Sequence, residues 1–310
     1  MSAAPSGLRV IAAGPLSLVQ DAGRFGWQHL GVSPSGPLDR QAAAWANRLL
    51  DNPWGTPLLE IALGGLELES QVDTWVAVCG AELPIALDGQ ARPCGSSFAW
   101  RAGQRLRLGY ARRGQRAYLA VAGGFAMTPV LGSVATQCRE GLGGLRGDGA
   151  RLQAGDLLPC AAAERPRATR VPPAFVRPYG DRAALRVMLG GDAPSFDADQ
   201  LAQLFAQSWT LSPQSDRMGA RLQGQALQAP VRQWSQGLVT GSIQVPPDGQ
   251  PIILLADRQS MGGYPVLGWV HPLDLDRLAQ LPAHGQLTFS PVEVQQVQAE
   301  LRTFYRFFGR

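Results

Sequence analysis

Apolar residues occur along the chain in many short runs, and most of these runs are bounded by glycine or proline. The sequence contains 37 glycines and 24 prolines. Short apolar runs with turn residues at close intervals are typical of an all-β sandwich or barrel. We therefore predict strands at 8–11, 16–19, 59–63, 75–78, 83–87, 97–100, 105–108, 117–121, 185–189, 209–211, 237–239, 252–255, 269–270 and 286–289. In 105–108 arginine and leucine alternate strictly, which predicts one wet face and one buried face.

Helical periodicity is confined to four segments, at 38–50, 196–205, 273–281 and 291–308. The first has apolar residues on one face and stops before Asn52-Pro53. Ser195 is predicted to cap the second helix. Ser290-Pro291-Val292-Glu293 predicts a capping box with proline at the first helical position. The fold class is therefore mainly β, with a few short helices and a C-terminal helix.

Length and an internal similarity both favour two domains. A chain of 310 residues with 45% hydrophobic residues can bury more than one core. Residues 161–173, rich in alanine, arginine and proline, form the best linker. Residues 117–132 and 252–268 share a pattern of strand, two glycines, an aromatic residue and Pro-Val-Leu-Gly, but the match is too short to decide on duplication. We predict domains at 1–165 and 174–310, the second carrying the main motifs.

All 28 basic residues are arginine, and lysine is absent from the sequence. Without lysine the chain cannot form a Schiff base, hold phosphate with a P-loop lysine or carry biotin. Any such group must come from a partner. The arginines are scattered and accompanied by acids, so we expect no nucleic-acid partner.

Cysteine and histidine patterns argue against a metal site. The four cysteines contain no C-x-x-C pair, and the three histidines show no zinc spacing. No apolar stretch approaches eighteen residues, and residues 1–7 lack the features of a signal peptide. We expect a cytoplasmic protein with no membrane segment.

The segment 212–264 carries more polar chemistry than its turns require. Its blocks read Ser-Asp-Arg-Met-Gly-Ala-Arg-Leu at 215–222, Gly-Ser-Ile-Gln-Val-Pro-Pro-Asp-Gly-Gln-Pro at 241–251 and Ala-Asp-Arg-Gln-Ser-Met-Gly-Gly-Tyr-Pro at 256–265. A planar amide suits this set, since glutamine or aspartate can accept its N–H while arginine holds a developing oxyanion. Asp216-Arg217 and Asp257-Arg258 are two acid–arginine pairs of neighbouring residues, here called dyads. The alternative to a ligand-binding role is that each dyad forms an internal ion pair that orders a loop.

The N-terminal segment repeats the combination of acid, arginine and glycine. Asp21 and Arg24 lie in Gln-Asp-Ala-Gly-Arg-Phe-Gly at 20–26, where a local turn pair is the alternative to a ligand site. For Asp39, helix capping is the favoured interpretation. No G-x-S-x-G motif or Ser-His-Asp arrangement can be assembled, so a hydrolase of the triad type is not predicted.

These residues resemble the family of 5-oxoprolinase C subunits, also described as KipA-like, allophanate hydrolase subunit 2 type or biotin-dependent carboxyltransferase. The resemblance rests on 19–24, 31–32, 35–36 with Asp39, 46–47, 59–60, 118–124, 215–222, 241–251 and 257–265. Residues 132–136 read Gly-Ser-Val-Ala-Thr where the family usually has Gly-Ser-Arg-Ser/Ala-Thr, which puts a substrate role for that loop in doubt. His284-Gly285 replaces the usual Pro-Gly or Gly-Asp turn.

The resemblance implies two tandem cyclophilin-like β-barrel domains and an enzyme that works in a complex. It implies the C subunit of an ATP-dependent 5-oxoprolinase, which opens 5-oxo-L-proline to L-glutamate together with a KipI-like B subunit, and with a LamB/YcsF-like A subunit. We expect catalytic roles for Asp216, Arg217, Gln244, Asp257 and Arg258. We expect substrate binding by Tyr264, Gln250, Gly263, Asp21 and Arg24.

Two other functions stay open on the resemblance. One is the carboxyltransferase component of a biotin-dependent urea or amide carboxylase, with biotin on a partner because this chain has no lysine. The other is a non-enzymatic, KipA-like antagonist of a kinase inhibitor. ATP is expected in the oxoprolinase complex, and biotin only in the carboxylase alternative.

Overall fold

A computed structural model describes residues 6–165 and 167–309. The chain divides into two compact units: Met1–Phe25, Ser35–Tyr179 and Phe308–Arg310 form the first, and Gly26–Pro34 with Gly180–Phe307 form the second. The domain limits 1–165 and 174–310 stay a prediction. The signal-peptide expectation concerns residues 1–5 above all, which lie outside the described residues, as do Pro166 of the predicted linker and Arg310 at the end of the second predicted domain.

The first unit consists of two antiparallel sheets and one helix, α1 (Arg40–Arg48). Its strands are β1 (Gly7–Ala13), β2 (Leu16–Gln20), β3 (Leu58–Ala62), β4 (Leu66–Ser70), β5 (Thr74–Glu82), β6 (Ile85–Leu87), β7 (Gln90–Arg92), β8 (Ser96–Trp100), β9 (Arg105–Leu108), β10 (Arg113–Val121) and β11 (Leu157–Pro159). The strand orders are β11-β1-β4-β9-β6-β7 and β2-β3-β10-β5-β8.

Alternation along these strands builds the core of the first unit. In β9 the two arginines are exposed, whereas Leu106 and Leu108 are buried, as the sequence predicts. Leu66 and Leu68 from the same sheet join Val76 and Leu119 from the other sheet in one apolar cluster. Period-two side-chain placement thus gives both sheets an apolar face to bury.

The second unit is a closed seven-stranded barrel with three helices. Its strands are β12 (Arg182–Leu189), β13 (Trp209–Leu211), β14 (Gly219–Gln223), β15 (Gln236–Gly237), β16 (Ser242–Gln244), β17 (Ile252–Leu254), β18 (Met261–Gly262), β19 (Val266–Val270) and β20 (Gln286–Pro291). The barrel order is β12-β19-β16-β17-β14-β13-β20, and β15 pairs with β18. The helices are α2 (Ala198–Ala206), α3 (Pro272–Leu278) and α4 (Val294–Phe308).

The predicted mainly β fold with few helices and a C-terminal helix is confirmed. Two predicted helix starts are wrong. Ser195 ends a short 3-10 turn, Phe196 is extended, and Asp197 precedes α2 without a side-chain cap bond. Ser290 and Pro291 end strand β20, where they lie beside Arg186 and Val187 of β12, so the predicted capping box does not form. Tertiary strand pairing overrides the local helix signal there.

Several short strands are not predicted from the sequence, among them β14 and β16 in the polar segment 212–264. Each has five residues or fewer, and β14 begins with glycine, so neither shows a long apolar run. In the part of the chain that the structure describes, no helix has both the length and the apolar character needed to cross a membrane.

Candidate functional site

A cavity of ≈ 420 Å³ in the second unit collects half of the residues predicted for the site in this part of the chain. Asp216, Gln244, Gln250 and Tyr264 line it, whereas Arg217, Asp257, Arg258 and Gly263 do not. Six further polar residues line it: Ser212, Gln214, Arg221, Gln223, Asp248 and Gln259. The cavity is thus rich in amide groups, with two carboxylates and one guanidinium.

Gln244 is the most buried of the amides in the cavity wall. It lies on β16, is 1% exposed, and its Nε2 donates to the Tyr264 carbonyl at 3.4 Å. Among the described residues none donates a hydrogen bond to Gln244 Oε1. A buried acceptor left open in a cavity wall is available to a ligand N–H.

Glycine at position 262 leaves room for this amide. A Cβ there would lie 2.8 Å from Gln244 Nε2 and 2.6 Å from Leu238 Cδ1. Both distances are far below van der Waals contact, so any side chain at position 262 would displace one of these neighbours. The position that the Gln244 amide occupies therefore requires glycine at position 262.

Asp216 lies in the turn just before β14, which begins at Gly219. Its Oδ1 accepts hydrogen bonds from the backbone N–H of Met218 at 2.8 Å and of Gly219 at 3.1 Å. This is the local side-chain-to-backbone pattern that aspartate favours in turns. Oδ2 makes no hydrogen bond to a described residue, and Asp216 is exposed. Asp216 is held rigidly while one oxygen stays available.

The other predicted substrate-binding residues of the second unit differ in how they are engaged. Both ends of the Gln250 amide bind the backbone of Gly224, at 2.9 and 3.1 Å, so its hydrogen-bonding groups already hold a turn. Tyr264 is 46% exposed and lines the cavity. Gly263 lies outside the lining.

Arg217 and Asp257 form a buried ion pair with each other, across the two dyads. Arg217 Nε donates to Asp257 Oδ2 at 2.8 Å and Nη2 donates to Oδ1 at 3.1 Å. The two residues are 8% and 6% exposed. The Asp257 N–H also donates to the Arg217 carbonyl at 3.0 Å. This bidentate pair ties the segment before β14 to the segment after β17, which agrees with a loop-ordering ion pair.

Arg258 is buried without such a pairing. It is 2% exposed, its Nη1 donates to the Gln259 carbonyl at 3.2 Å, and no described residue accepts from its Nε. No carboxylate among the described residues forms an ion pair with it. Burial lowers the pKa of its guanidinium. A buried cation without a counter-charge is costly, so an anion that reaches it would be held strongly.

Asp21 and Arg24 order a loop of the first unit. Asp21 accepts from Ser133 Oγ at 2.6 Å and from the Val134 N–H at 2.7 Å. Arg24 is fully buried and donates to the carbonyls of Val130 and Ala135, both at 2.9 Å. The two residues hold the loop 130–136, in which the sequence departs from the family pattern.

Asp39 caps helix α1, as the favoured interpretation has it. Its Oδ1 accepts from the Ala42 N–H at 2.9 Å, and its backbone is extended as an N-cap requires. Its Oδ2 accepts from Tyr179 Oη at 3.0 Å. The fully buried carboxylate is thus engaged on both oxygens.

Arg221 and Gln223 are lining residues that sequence reasoning missed. Both lie on β14, two positions apart and both exposed, with buried Leu222 between them. Side chains two apart on a strand share a face, so recognising 219–223 as a strand would have placed both on the cavity side. Arg221 forms no ion pair with any described residue. Among the described residues, no group of three or more His, Cys, Asp and Glu could hold a metal ion.

Comparison with known proteins assigns the family. The family model "Carboxyltransferase domain, subdomain A and B" matches residues 30–291. The chain belongs to this family. It is 38% identical over 305 residues to the 5-oxoprolinase C subunit of Escherichia coli K12, covering 97% of this chain and 96% of that protein. It is 37% identical to the protein of the same name in Haemophilus influenzae, over 92% and 90% of the two chains. The resemblance inferred from the motifs is confirmed.

Two solved structures share the fold. The crystal structure of TTHA0988 matches with a TM-score of 0.83 and 36% identity, over 92% of this chain and 56% of that chain. The Kluyveromyces lactis urea carboxylase matches with a TM-score of 0.89 and 26% identity, over 98% of this chain and 29% of that chain. This chain therefore spans only part of those two proteins.

Proposed function

We propose that this chain is the C subunit of an ATP-dependent 5-oxoprolinase, and that with its partner proteins it opens 5-oxo-L-proline to L-glutamate. Its similarity to the 5-oxoprolinase C subunit of Escherichia coli extends over nearly the whole of both chains. The observation that carries the proposal is the cavity in the second unit, where the open acceptor of Gln244 and the guanidinium of Arg221 contribute to the lining. The family resemblance supplies the partners, a KipI-like protein and a LamB/YcsF-like protein.

The polar groups of 5-oxo-L-proline match this cavity. The lactam N–H would donate to Gln244 Oε1, and the carboxylate would pair with Arg221 at the exposed side of the cavity. The ring would contact Tyr264, and Asp216 Oδ2 would accept a further proton donor. Arg258 lies outside the lining, but its Nη1 donates to the carbonyl of Gln259, which lines the cavity, so its proposed role is to position this part of the wall.

ATP supplies the driving force in this proposal, but the cavity does not fit its phosphates. The lining contains two carboxylates, Asp216 and Asp248, but a single guanidinium, that of Arg221, and the chain has no lysine. A triphosphate carries several negative charges, of which Arg221 can neutralise only one, so it would meet net repulsion there, whereas the single carboxylate of 5-oxo-L-proline pairs with Arg221. In the proposed reaction the γ-phosphoryl group moves to the lactam oxygen and ADP leaves. Water then adds to the ring carbon and the C–N bond breaks, which leaves the free amine and an acyl phosphate. A second water hydrolyses this acyl phosphate to the carboxylate of L-glutamate and free phosphate. We assign phosphate handling to the interface with the KipI-like partner.

Variants in the reconstituted three-protein complex test the site. Arg221→Gln should raise the KM for 5-oxo-L-proline with little change in kcat, because it removes ground-state binding. Gln244→Ala should lower kcat/KM by about tenfold to a hundredfold, and Arg258→Ala should lower kcat/KM by about tenfold because the wall at Gln259 loses its support. Arg182→Gln, an exposed arginine on β12 outside the cavity, is the matched control. ATP-coupled glutamate formation at the normal rate in Arg258→Ala and Gln244→Ala would overturn the site.

The carboxyltransferase component of a urea or amide carboxylase is the second candidate. The family model and the match to Kluyveromyces lactis urea carboxylase favour it. Because this chain has no lysine, biotin would be attached to a partner. Streptavidin blotting of the native complex separates the candidates: a biotinylated partner supports the carboxylase, and its absence alongside ATP-coupled ring opening supports the oxoprolinase.

A further inference from the structure

The first unit contains a cavity of ≈ 690 Å³ that the proposed function does not use. One wall comes from α1 and β5, including Trp45 and Cys79, and another from residues 170–179. The rings of Trp45 and Phe175 contact each other in this lining, with centroids 5.4 Å apart and planes tilted by 56°. The size falls within the range of small-molecule pockets, roughly 300–1,000 Å³.

Backbone bonds hold the wall formed by the start of the 170–179 segment. The Val171 N–H donates to the Gly95 carbonyl at 2.9 Å, and the Ser97 N–H donates to the Thr169 carbonyl at 2.9 Å. Arg170 forms a β-bridge with Ser96. The start of the segment therefore pairs alongside the edge strand β8, so this wall is a preformed part of the first unit.

The interior of the cavity is mainly apolar. Burial raises the pKa of Cys79 well above its usual range and that of Cys94 to about 11, so both thiols stay protonated at neutral pH. The Tyr179 hydroxyl donates to Asp39, which also caps α1. An apolar ligand body suits this interior better than a charged group.

The rim of the cavity is basic. Arg113, Arg170 and Arg177 line it, against a single carboxylate in the lining, Glu82. Arg113 and Arg170 are exposed, and neither forms an ion pair with a described residue. Guanidinium groups at the mouth of an apolar cavity are complementary to a ligand with an apolar body and an anionic head.

We infer that this cavity binds a small amphipathic anion, with an aromatic or aliphatic body packed against the Trp45–Phe175 pair and a carboxylate or phosphate at Arg113 and Arg170. The inference does not depend on the oxoprolinase proposal, because the cavity and its arginines lie entirely in the first unit. The head group's charge is the recognised feature. Carboxylate and phosphate ligands are therefore distinguished by competition.

Two fluorescent probes with similar aromatic bodies test the inference on the full chain. 8-Anilinonaphthalene-1-sulfonate carries a negative charge, and N-phenyl-1-naphthylamine does not. The double variant Arg113→Gln/Arg170→Gln should weaken binding of the anionic probe about tenfold and leave the neutral probe unchanged. Phe175→Ala should weaken both probes. Arg107→Gln, an exposed arginine on β9 outside the cavity, should change neither.

Competition and fold controls complete the experiment. 4-Phenylbutyrate and phenyl phosphate should displace the anionic probe, and their relative potency identifies the preferred head group. Circular dichroism and thermal unfolding confirm that each variant is folded. Unchanged binding of the anionic probe by the double variant would overturn the inference. Equal weakening of both probes by the double variant would also overturn it. The same holds if Arg107→Gln weakens the anionic probe as much as the double variant does.

Discussion

Arg217 and Arg258 are both buried in the second unit. Of these two, Arg217 forms an ion pair with the Asp257 carboxylate, and Arg258 forms none with a described residue. For Arg217, the bidentate bonds to Asp257 offset the loss of hydration. For Arg258, a carbonyl at 3.2 Å is the hydrogen-bond partner seen among the described residues. This contrast separates a structural arginine from one that an anionic ligand would stabilise.

Breaking the Arg217–Asp257 pair is expected to destabilise the second unit. Arg217→Met should cost about 3 kcal/mol in the free energy of unfolding, because it leaves the Asp257 carboxylate buried without this counter-charge. The double variant Arg217→Met/Asp257→Leu should recover most of that loss. Urea unfolding of the two single variants and the double variant gives the coupling energy. Strictly additive losses would contradict a stabilising pair, and Arg182→Gln serves as the exposed-arginine control.

Sequence reasoning reached some residues at this scale and not others. The cap at Asp39 follows from a local pattern, and the structure confirms it. The partner of Arg217 lies 40 residues away and depends on strand β14 lying beside β17. The sequence shows two acid–arginine dyads, but only the strand pairing shows that the bond crosses between them. Arg221 was missed for the same reason.

At the scale of elements, Arg186 joins three parts of the second unit. From β12 it binds Asp274 of α3 with Nε and Nη2, each at 2.9 Å. Its Nη1 binds Glu300 of α4, also at 2.9 Å. Side-chain hydrogen bonding to Asp274 is the main reason that the pKa of Arg186 is raised. The helix α4 is thus attached to the barrel by charge as well as by the buried Val297.

Removing this junction should loosen the second unit. Arg186→Gln is expected to lower the free energy of unfolding by about 3 kcal/mol, because Asp274 is 5% exposed and would lose its counter-charge. Arg182→Gln on the same strand is exposed and should change stability by less than about 0.5 kcal/mol. Thermal unfolding with a tryptophan fluorescence probe compares them. Equal melting temperatures for the two variants would contradict the assignment.

Glu300 makes part of this stability depend on pH. Desolvation alone would raise its pKa, but hydrogen bonds from Gln296 and Arg186 outweigh it and lower the pKa below the ordinary 4.5. The carboxylate therefore stabilises the fold above about pH 4.5, and this contribution is lost as pH falls through the lowered pKa. Glu300→Gln should be less stable than the wild type at pH 7, with the difference shrinking toward pH 3. A difference that stays constant from pH 7 to pH 3 would contradict this.

Elements were predictable where a pattern extends over enough residues. The long strands β5, β10 and β12 contain predicted apolar runs, and the C-terminal helix follows from its stripe. The start of that helix was misplaced because Ser290 and Pro291 pair in parallel with β12. Strands β14 and β16, which form the wall of the candidate site, are too short to show a period. The site is therefore harder to predict than the fold.

For the whole molecule, membership in the carboxyltransferase family is settled by the match over residues 30–291, and the reaction remains a proposal. In the proposed function the cavity in the second unit recognises the lactam amide, and its lining does not suit a triphosphate. The proposal therefore predicts that the chain alone does not open 5-oxo-L-proline, because it assigns the ATP chemistry to partner proteins. The long match to the 5-oxoprolinase C subunit of Escherichia coli makes a complex the relevant form to assay.

The most direct measurement is an omission experiment with the purified chain, its KipI-like partner and its LamB/YcsF-like partner. L-Glutamate formed from 5-oxo-L-proline and ADP formed from ATP are measured together, with each protein left out in turn. The proposal predicts coupled formation of both products only when all three are present. Coupled ring opening at the full rate without this chain, or none in the complete mixture, would contradict it.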